Sequence, residues 1–240
     1  MAVEKLGSAT TDVQTTSANS HSFSHTVTEG TTLLIAAIGV AGNREFNTAP
    51  QYNSESMTAI SDSGEGASKD MRVYVYGLIN PDIDENTFFC EFGTPSNPPA
   101  SWVTLVNYSG TQNTSVADVT NQVQVVNNTS TTSTTVFNSG GSAGNALFLA
   151  AGGIGQNCSP ASNGSSFAEI ADTVTGGGAN NNNDHAIYVA HLLTGAPSAV
   201  TISWSATDEN AGALVELVAK RSGFRGSGRG TARGVGRGIL

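Results

Sequence analysis

Nowhere in this chain do apolar residues recur at i, i+3, i+4 and i+7 over a dozen positions, the spacing by which a helix buries one face. Short β-branched and aromatic runs recur instead, each closed off by Gly, Asn, Ser or Pro, which is how strands and turns are written. Strands are expected at 22–28, 32–40, 57–61, 72–78, 87–92, 102–108, 122–126, 134–138, 146–152, 167–172, 186–192, 199–204 and 213–219. So many short strands between turns make the expected fold class all-β, an antiparallel β-sandwich of jelly-roll type.

An internal repeat narrows the topology. Tyr74-Val-Tyr-Gly-Leu-Ile-Asn-Pro81 matches Tyr188-Val-Ala-His-Leu-Leu-Thr-Gly-Ala-Pro197 at an offset of 114. Thr32-Leu-Leu-Ile-Ala-Ala-Ile-Gly-Val-Ala-Gly42 resembles Asn145-Ala-Leu-Phe-Leu-Ala-Ala-Gly-Gly-Ile-Gly155, and Met57-Thr-Ala-Ile-Ser-Asp62 resembles Phe167-Ala-Glu-Ile-Ala-Asp172. Residues 1–219 thus read as a body built from two similar halves, about 20–110 and 132–219. One half alone leaves an apolar sheet face uncovered, so the halves are expected to pair into one sandwich with a shared core. Two independent small sandwiches are the alternative. The Ser/Thr/Asn-rich connection 109–133 is expected to cross between halves and to carry a strand of its own.

Several classes of protein are excluded early. The longest apolar stretches, Leu33 to Gly42 and Ala146 to Ile154, fall short of the roughly 18–20 residues of a spanning helix, so no membrane insertion is expected. Met1-Ala-Val-Glu-Lys-Leu-Gly7 has no basic segment followed by an apolar one, which points to synthesis in a host cytoplasm without a signal peptide. Cys90 and Cys158 are too few for a disulfide scaffold and lack the spacing of a zinc site, so both are read as small buried side chains, with a bridge between them as the minor alternative. Six Asn-x-Ser/Thr sequons reflect composition rather than glycosylation.

Charge is sparse and segregated. Only 12% of the 240 residues are charged, where an ordinary globular domain has roughly 25%. Residues 1–219 hold all nineteen acidic residues and four basic ones, a net −15, while residues 220–240 hold six basic residues and no acid, a net +6. Arginine recurs at every fourth position, Arg221, Arg225, Arg229, Arg233 and Arg237, with glycine after four of the five. Seven glycines after Arg221 oppose a helix, so 220–240 is read as a flexible Arg/Gly-rich arm that orders only on docking. Its guanidinium groups attract carboxylate or phosphate surfaces. Nucleic acid is one candidate partner, but a body of −15 repels a polyanion. The acidic body of a neighbouring copy has no such conflict and ranks first. The apolar ending, Ile239 and Leu240 with Val235, would seat the arm in a neighbour's groove.

Motifs for chemistry are weak throughout. His21 and His25 share one face of a strand but would lie about 13 Å apart, too far to share one metal ion, and are read as polar residues of an exposed face. His185 and His191 flank an apolar strand and read as structural. The acidic runs at 81–86 and 208–210 lack the register of a calcium loop and read as solvated turns. Gly141-Ser-Ala-Gly144 and Gly164-Ser-Ser166 lack the strand-to-helix setting of a nucleophile elbow, and Gly152-Gly-Ile-Gly155 opens no helix for a phosphate. The expectation is therefore no catalytic residue, no metal and no cofactor. Trp102 and Trp204 are either core residues or exposed platforms that stack on sugars.

Taken together, Ser22-Phe-Ser-His-Thr-Val27, Leu33-Leu-Ile-Ala-Ala-Ile-Gly39, Arg72-Val-Tyr-Val-Tyr-Gly-Leu-Ile-Asn-Pro81 and Asn107-Tyr-Ser-Gly110 resemble a β-sandwich family frequent among virion structural proteins of tailed bacteriophages. The likeness spans about residues 20–219, rests on strand patterns and transfers no functional residue. It implies a capsid decoration, tail or fibre component. The functional expectation is a non-enzymatic structural protein on the exterior of a bacteriophage particle, a homo-oligomer that docks on neighbouring virion proteins through its basic arm. The alternative is a tail-fibre module that binds host-surface glycans through Trp102 and Trp204.

Overall fold

Two nine-residue segments, Leu33–Ala41 and Ala146–Ile154, are buried at every position. A strand with one face in water alternates; one that is apolar throughout needs a covering layer on both faces. The computed structural model supplies both layers. It describes residues 1–14, 19–41, 44–64, 71–93, 100–112, 114–128, 134–137, 142, 144–154, 167–175, 185–194, 200–204 and 209–220.

The strands are β1 (Glu4–Gln14), β2 (Ser20–Val27), β3 (Leu33–Ala41), β4 (Phe46–Tyr52), β5 (Glu55–Ser56), β6 (Thr58–Asp62), β7 (Met71–Ile79), β8 (Asp84–Phe92), β9 (Ser101–Ser109), β10 (Thr120–Asn128), β11 (Thr134–Phe137), β12 (Ala146–Ile154), β13 (Ala168–Thr175), β14 (His185–Leu192), β15 (Val200–Ser203) and β16 (Glu209–Leu217). A single helical turn, α1 (Val116–Val119), is capped by Ser115, whose side chain accepts from the Asp118 amide. It leads from β9 into β10, so the connection between halves carries a strand as expected. Every strand pairing is antiparallel, and all the strands expected from the sequence are present with ends shifted by a few residues.

Among the described residues four sheets form, in the orders β1-β9-β3-β7-β6, β10-β16-β12-β14-β13, β2-β8-β4-β5 and β11-β15. The two five-stranded sheets follow the same plan, β1, β9, β3, β7 and β6 of the first corresponding to β10, β16, β12, β14 and β13 of the second. Their registers agree as well: Ile38 faces Tyr74 across β3–β7, and Ala151 faces Tyr188 across β12–β14. Both edge pairs slip by one residue at an isoleucine, between Ala59 and Ser61 and between Glu169 and Ala171.

Layering departs from the expectation of one sandwich. The two five-stranded sheets pack face to face around Ile35, Val73, Trp102, Phe148, Val189 and Val215, which is the shared core. Each then buries its other face under a smaller sheet. Leu34, Ile38 and Val103 meet Tyr52, Phe88 and Phe92 on one side, while Leu147, Tyr188 and Leu214 meet Phe137, Ile202 and Trp204 on the other. The result is four layers and three cores, combining the shared-core reading with the two-sandwich alternative.

Close approach at the centre is made by glycine. A Cβ on Gly39 would lie 2.2 Å from the Trp102 ring and 2.6 Å from the Met71 methyl, and one on Gly152 would lie 2.4 Å from the same methyl. Gly39 in β3 and Gly152 in β12 occupy matching positions of the two sheets, so Met71 fills the gap between the halves. Replacing it empties the shared core from both sides. Met71→Ala is expected to cost about 2–5 kcal/mol and Gly39→Ala about 1–3 kcal/mol by overpacking. Urea titration followed by both tryptophan fluorescence and far-UV circular dichroism should show one coincident transition, shifted to lower urea in each variant; two separate transitions would mean the halves do not depend on the shared core.

Candidate functional site

Strand β2 alternates: His21, His25 and Val27 are buried, while Ser22, Ser24 and Thr26 are exposed. The two histidines therefore do share a face, as the sequence implied, but it is the inner face rather than the exposed one. β2 pairs with β8 alone, which leaves its inward side chains to reach β1 and β9 of the five-stranded sheet. A polar seam results.

Two hydrogen-bonded stations make up the seam. At the first, His21 Nδ1–H donates to Asp12 Oδ2 at 2.7 Å and Ser101 Oγ lies 2.9 Å from Nε2. At the second, Asn107 gives its amide to the Thr26 carbonyl at 3.0 Å, so its Oδ1 accepts from His25 Nε2–H at 3.1 Å. His25 Nδ1 then accepts from the Thr10 hydroxyl at 2.9 Å. The two rings thus carry their protons on opposite nitrogens. The His21 hydrogen bond holds the Asp12 carboxyl below its usual range, and burial pulls His25 down. Asn107, one of the sequons, is fully buried here, which removes it as a glycosylation site.

Hydroxyl on Nε2 and carboxylate on Nδ1 is the arrangement of a hydrolytic triad. Sequence motifs gave no hint of it, since Asp12, His21 and Ser101 follow no recognised spacing. Its environment argues for another role: Ser101 is 0% exposed and lies on a strand paired on both sides, to Gln14 and to Val40. The trio braces β2 against the sheet below. A buried ring needs both partners, because an unmet polar group costs about 1–3 kcal/mol.

Arg72 forms a third polar cluster. Its Nε and Nη2 donate to Asp62 Oδ1 and Oδ2 at 2.9 and 2.6 Å, and the guanidinium carbon lies 4.8 Å from the centre of the Tyr74 ring. Burial raises the Asp62 carboxyl, but the Arg72 hydrogen bonds, the Gly64 amide and the Arg72 charge together outweigh it and hold the carboxyl below its usual range. Between the halves, the Tyr108 hydroxyl and His191 Nδ1 share a hydrogen bond of 3.1 Å. Burial and nearby Lys5 push His191 from 6.5 to about 4.

The remaining expected residues fall as follows. Trp102 is 0% and Trp204 3% exposed, so neither ring offers a face to a sugar, and the glycan contact through them is withdrawn. They are core residues, but of different cores. Cys90 is a free, buried thiol pushed up to about 12 by burial; Cys158 lies outside the described residues. Asp82, Asp84 and Glu85 are exposed, as a solvated turn requires, whereas Asn210 is fully buried rather than part of such a turn. Among the described residues no group of three His, Cys, Asp or Glu could hold a metal ion, and no helix is long and apolar enough to cross a membrane.

Of the arm, Arg221, Arg225, Arg229, Arg233, Arg237, Ile239 and Leu240 lie outside the described residues. Its root does not. Ala219 bridges to Thr111, the Lys220 amide donates to the Gly110 carbonyl at 2.7 Å, and the Met1 amine donates to the Lys220 carbonyl at 3.1 Å. Gly110 has φ +76, and a Cβ there would lie 1.8 Å from the Ala2 carbonyl oxygen, so only glycine fits this junction. Comparison with family models, with curated proteins and with solved structures finds no match to this chain.

Two outcomes follow from the buried histidines and serine. His25 and His191 take up protons more readily unfolded than folded, so stability is expected to fall as pH drops from about 6.5 toward 4, with a smaller fall in His191→Asn; urea midpoints at about pH 7.5 and about pH 4.5 measure both. A fluorophosphonate probe should leave Ser101 of the folded chain unlabelled by mass spectrometry, whereas stoichiometric labelling would make the trio a working nucleophile.

Proposed function

We propose that this chain is a non-enzymatic structural component of a bacteriophage particle, which self-associates by docking its basic C-terminal arm onto the acidic body of a neighbouring copy. The observation that carries the reading is the split between a −15 body and a +6 arm, together with the way that arm is rooted. Lys220 is tied to Gly110 and to the chain's first residue, so docking forces on the arm pass directly into the sheets. Twenty residues follow Lys220, enough to reach about 70 Å when extended and therefore another subunit. The bacteriophage context comes from the family resemblance of the strand segments.

A receptor for such an arm must be acidic. Glu4, Glu29, Glu45, Glu55, Asp82, Asp84 and Glu85 are all exposed, while Arg72, one of the body's few cations, is consumed by Asp62. An acidic body joined to a basic tail suits lattice or ring assembly, in which each subunit is both donor and receptor. Light scattering at low and high salt tests this on the full chain and on a chain ending at Lys220. The full chain should form a salt-sensitive oligomer and the truncation should be monomeric. Identical, salt-independent masses for both would contradict the reading.

A further inference from the structure

The two halves differ at one polar position in a way that points to a ligand. Asp62 faces Tyr74 across β6–β7, and Asp172 faces Tyr188 across β13–β14, each two residues beyond the slipped isoleucine. Arg72 pairs with Val40 of β3, and the matching pair in the second half is Ala186 with Gly153 of β12. The second half therefore keeps the carboxylate and the tyrosine but has alanine where the first half has its arginine.

Asp172 is left without a counter-ion. Its Oδ1 is buried and has no hydrogen-bond partner, and among the described residues no cation pairs with it. Its charged neighbour is Glu169, of the same sign; burial and that neighbour push the Asp172 carboxyl up to about 6. Asp62, with its arginine in place, moves the opposite way. A half-buried carboxylate in this state gains more from an incoming guanidinium than any of the exposed acids, because the bidentate pair forms where water screens it least. The chain carries five arginines in the arm, with no acid among them.

We propose that Asp172, which is only partly buried, is the receptor for an arginine from residues 221–240 of a second copy. This assignment rests on the arm-docking reading above and names its acceptor. The acceptor is specific: neutralising Asp172 removes the docking site, while neutralising an exposed acid such as Glu55 does not. Supplying an arginine in cis, by Ala186→Arg, satisfies the carboxylate and excludes the arm.

Association of the full chain, followed by sedimentation equilibrium at low salt, tests the assignment with five proteins: wild type, Asp172→Asn, Ala186→Arg, Glu55→Gln and a chain with all five arm arginines changed to glutamine. Circular dichroism and the urea midpoint verify folding; Asp172→Asn is isosteric and keeps the test decisive if the buried Ala186→Arg does not fold. At least tenfold weaker association is expected for Asp172→Asn, Ala186→Arg and the glutamine arm, with Glu55→Gln matching wild type. If the glutamine arm dissociates but Asp172→Asn associates as wild type, the arm docks elsewhere and the receptor assignment is overturned while arm docking stands. If the glutamine arm also associates as wild type, both fall. A wild-type chain that is monomeric at every concentration, with Asp172→Asn exposing the arm to trypsin, would place the arm on its own body and overturn the assignment to a second copy.

Discussion

Everything in this fold depends on the central strands of two five-stranded sheets being buried on both faces. The inner faces make the shared core around Met71 and Trp102, and the outer faces are closed by the β2-β8-β4-β5 and β11-β15 sheets. Apolar burial of about 25 cal/mol per Å² is thereby collected from both sides of the same strand. That economy lets a chain with so few charges and so many Ser, Thr and Asn residues hold together. It also favours glycine at 39, where a Cβ would meet the Trp102 ring, and at 152, where a Cβ would require Met71 to shift.

Much of this was legible in the sequence because period and apolarity are local properties. The strands with β-branched or aromatic runs were all placed, and the repeat of Tyr74 to Pro81 in Tyr188 to Pro197 anticipated two sheets of the same order. What failed to show has physical causes. β1 is polar and slips register between Leu6 and Thr10, and β4 carries Pro50 and slips twice along its pairing with β8, so neither reads as a regular strand. The number of layers escaped because an all-apolar nine-residue run declares two buried faces without saying what covers the second. His21 and His25 looked like an exposed polar face, since a strand of Ser, His and Thr gives no sign that Asp12, Ser101, Thr10 and Asn107 wait on other strands to receive them. The charge split was plain from composition, whereas an Asp172 lacking its arginine became visible only when the strand registers aligned it with Asp62.

The halves share a plan but not a surface. The first half spends its polar groups internally, in the histidine seam and in the Asp62–Arg72 pair. The second covers its sheet with a two-stranded layer in place of four and leaves a carboxylate unmet. In the proposed docking, the basic arm of the same chain supplies the complementary charge.

Hydrogen exchange of the full chain, read by mass spectrometry of peptides from β3, β7, β12 and β16, tests the central claim most directly. If the two inner sheets are one cooperative unit, these peptides should share the slowest exchange and open together, with β11 and β15 exchanging faster. If peptides of one half lose protection at a clearly lower free energy than those of the other, the shared core does not hold the fold, and the account of a single four-layered body is wrong.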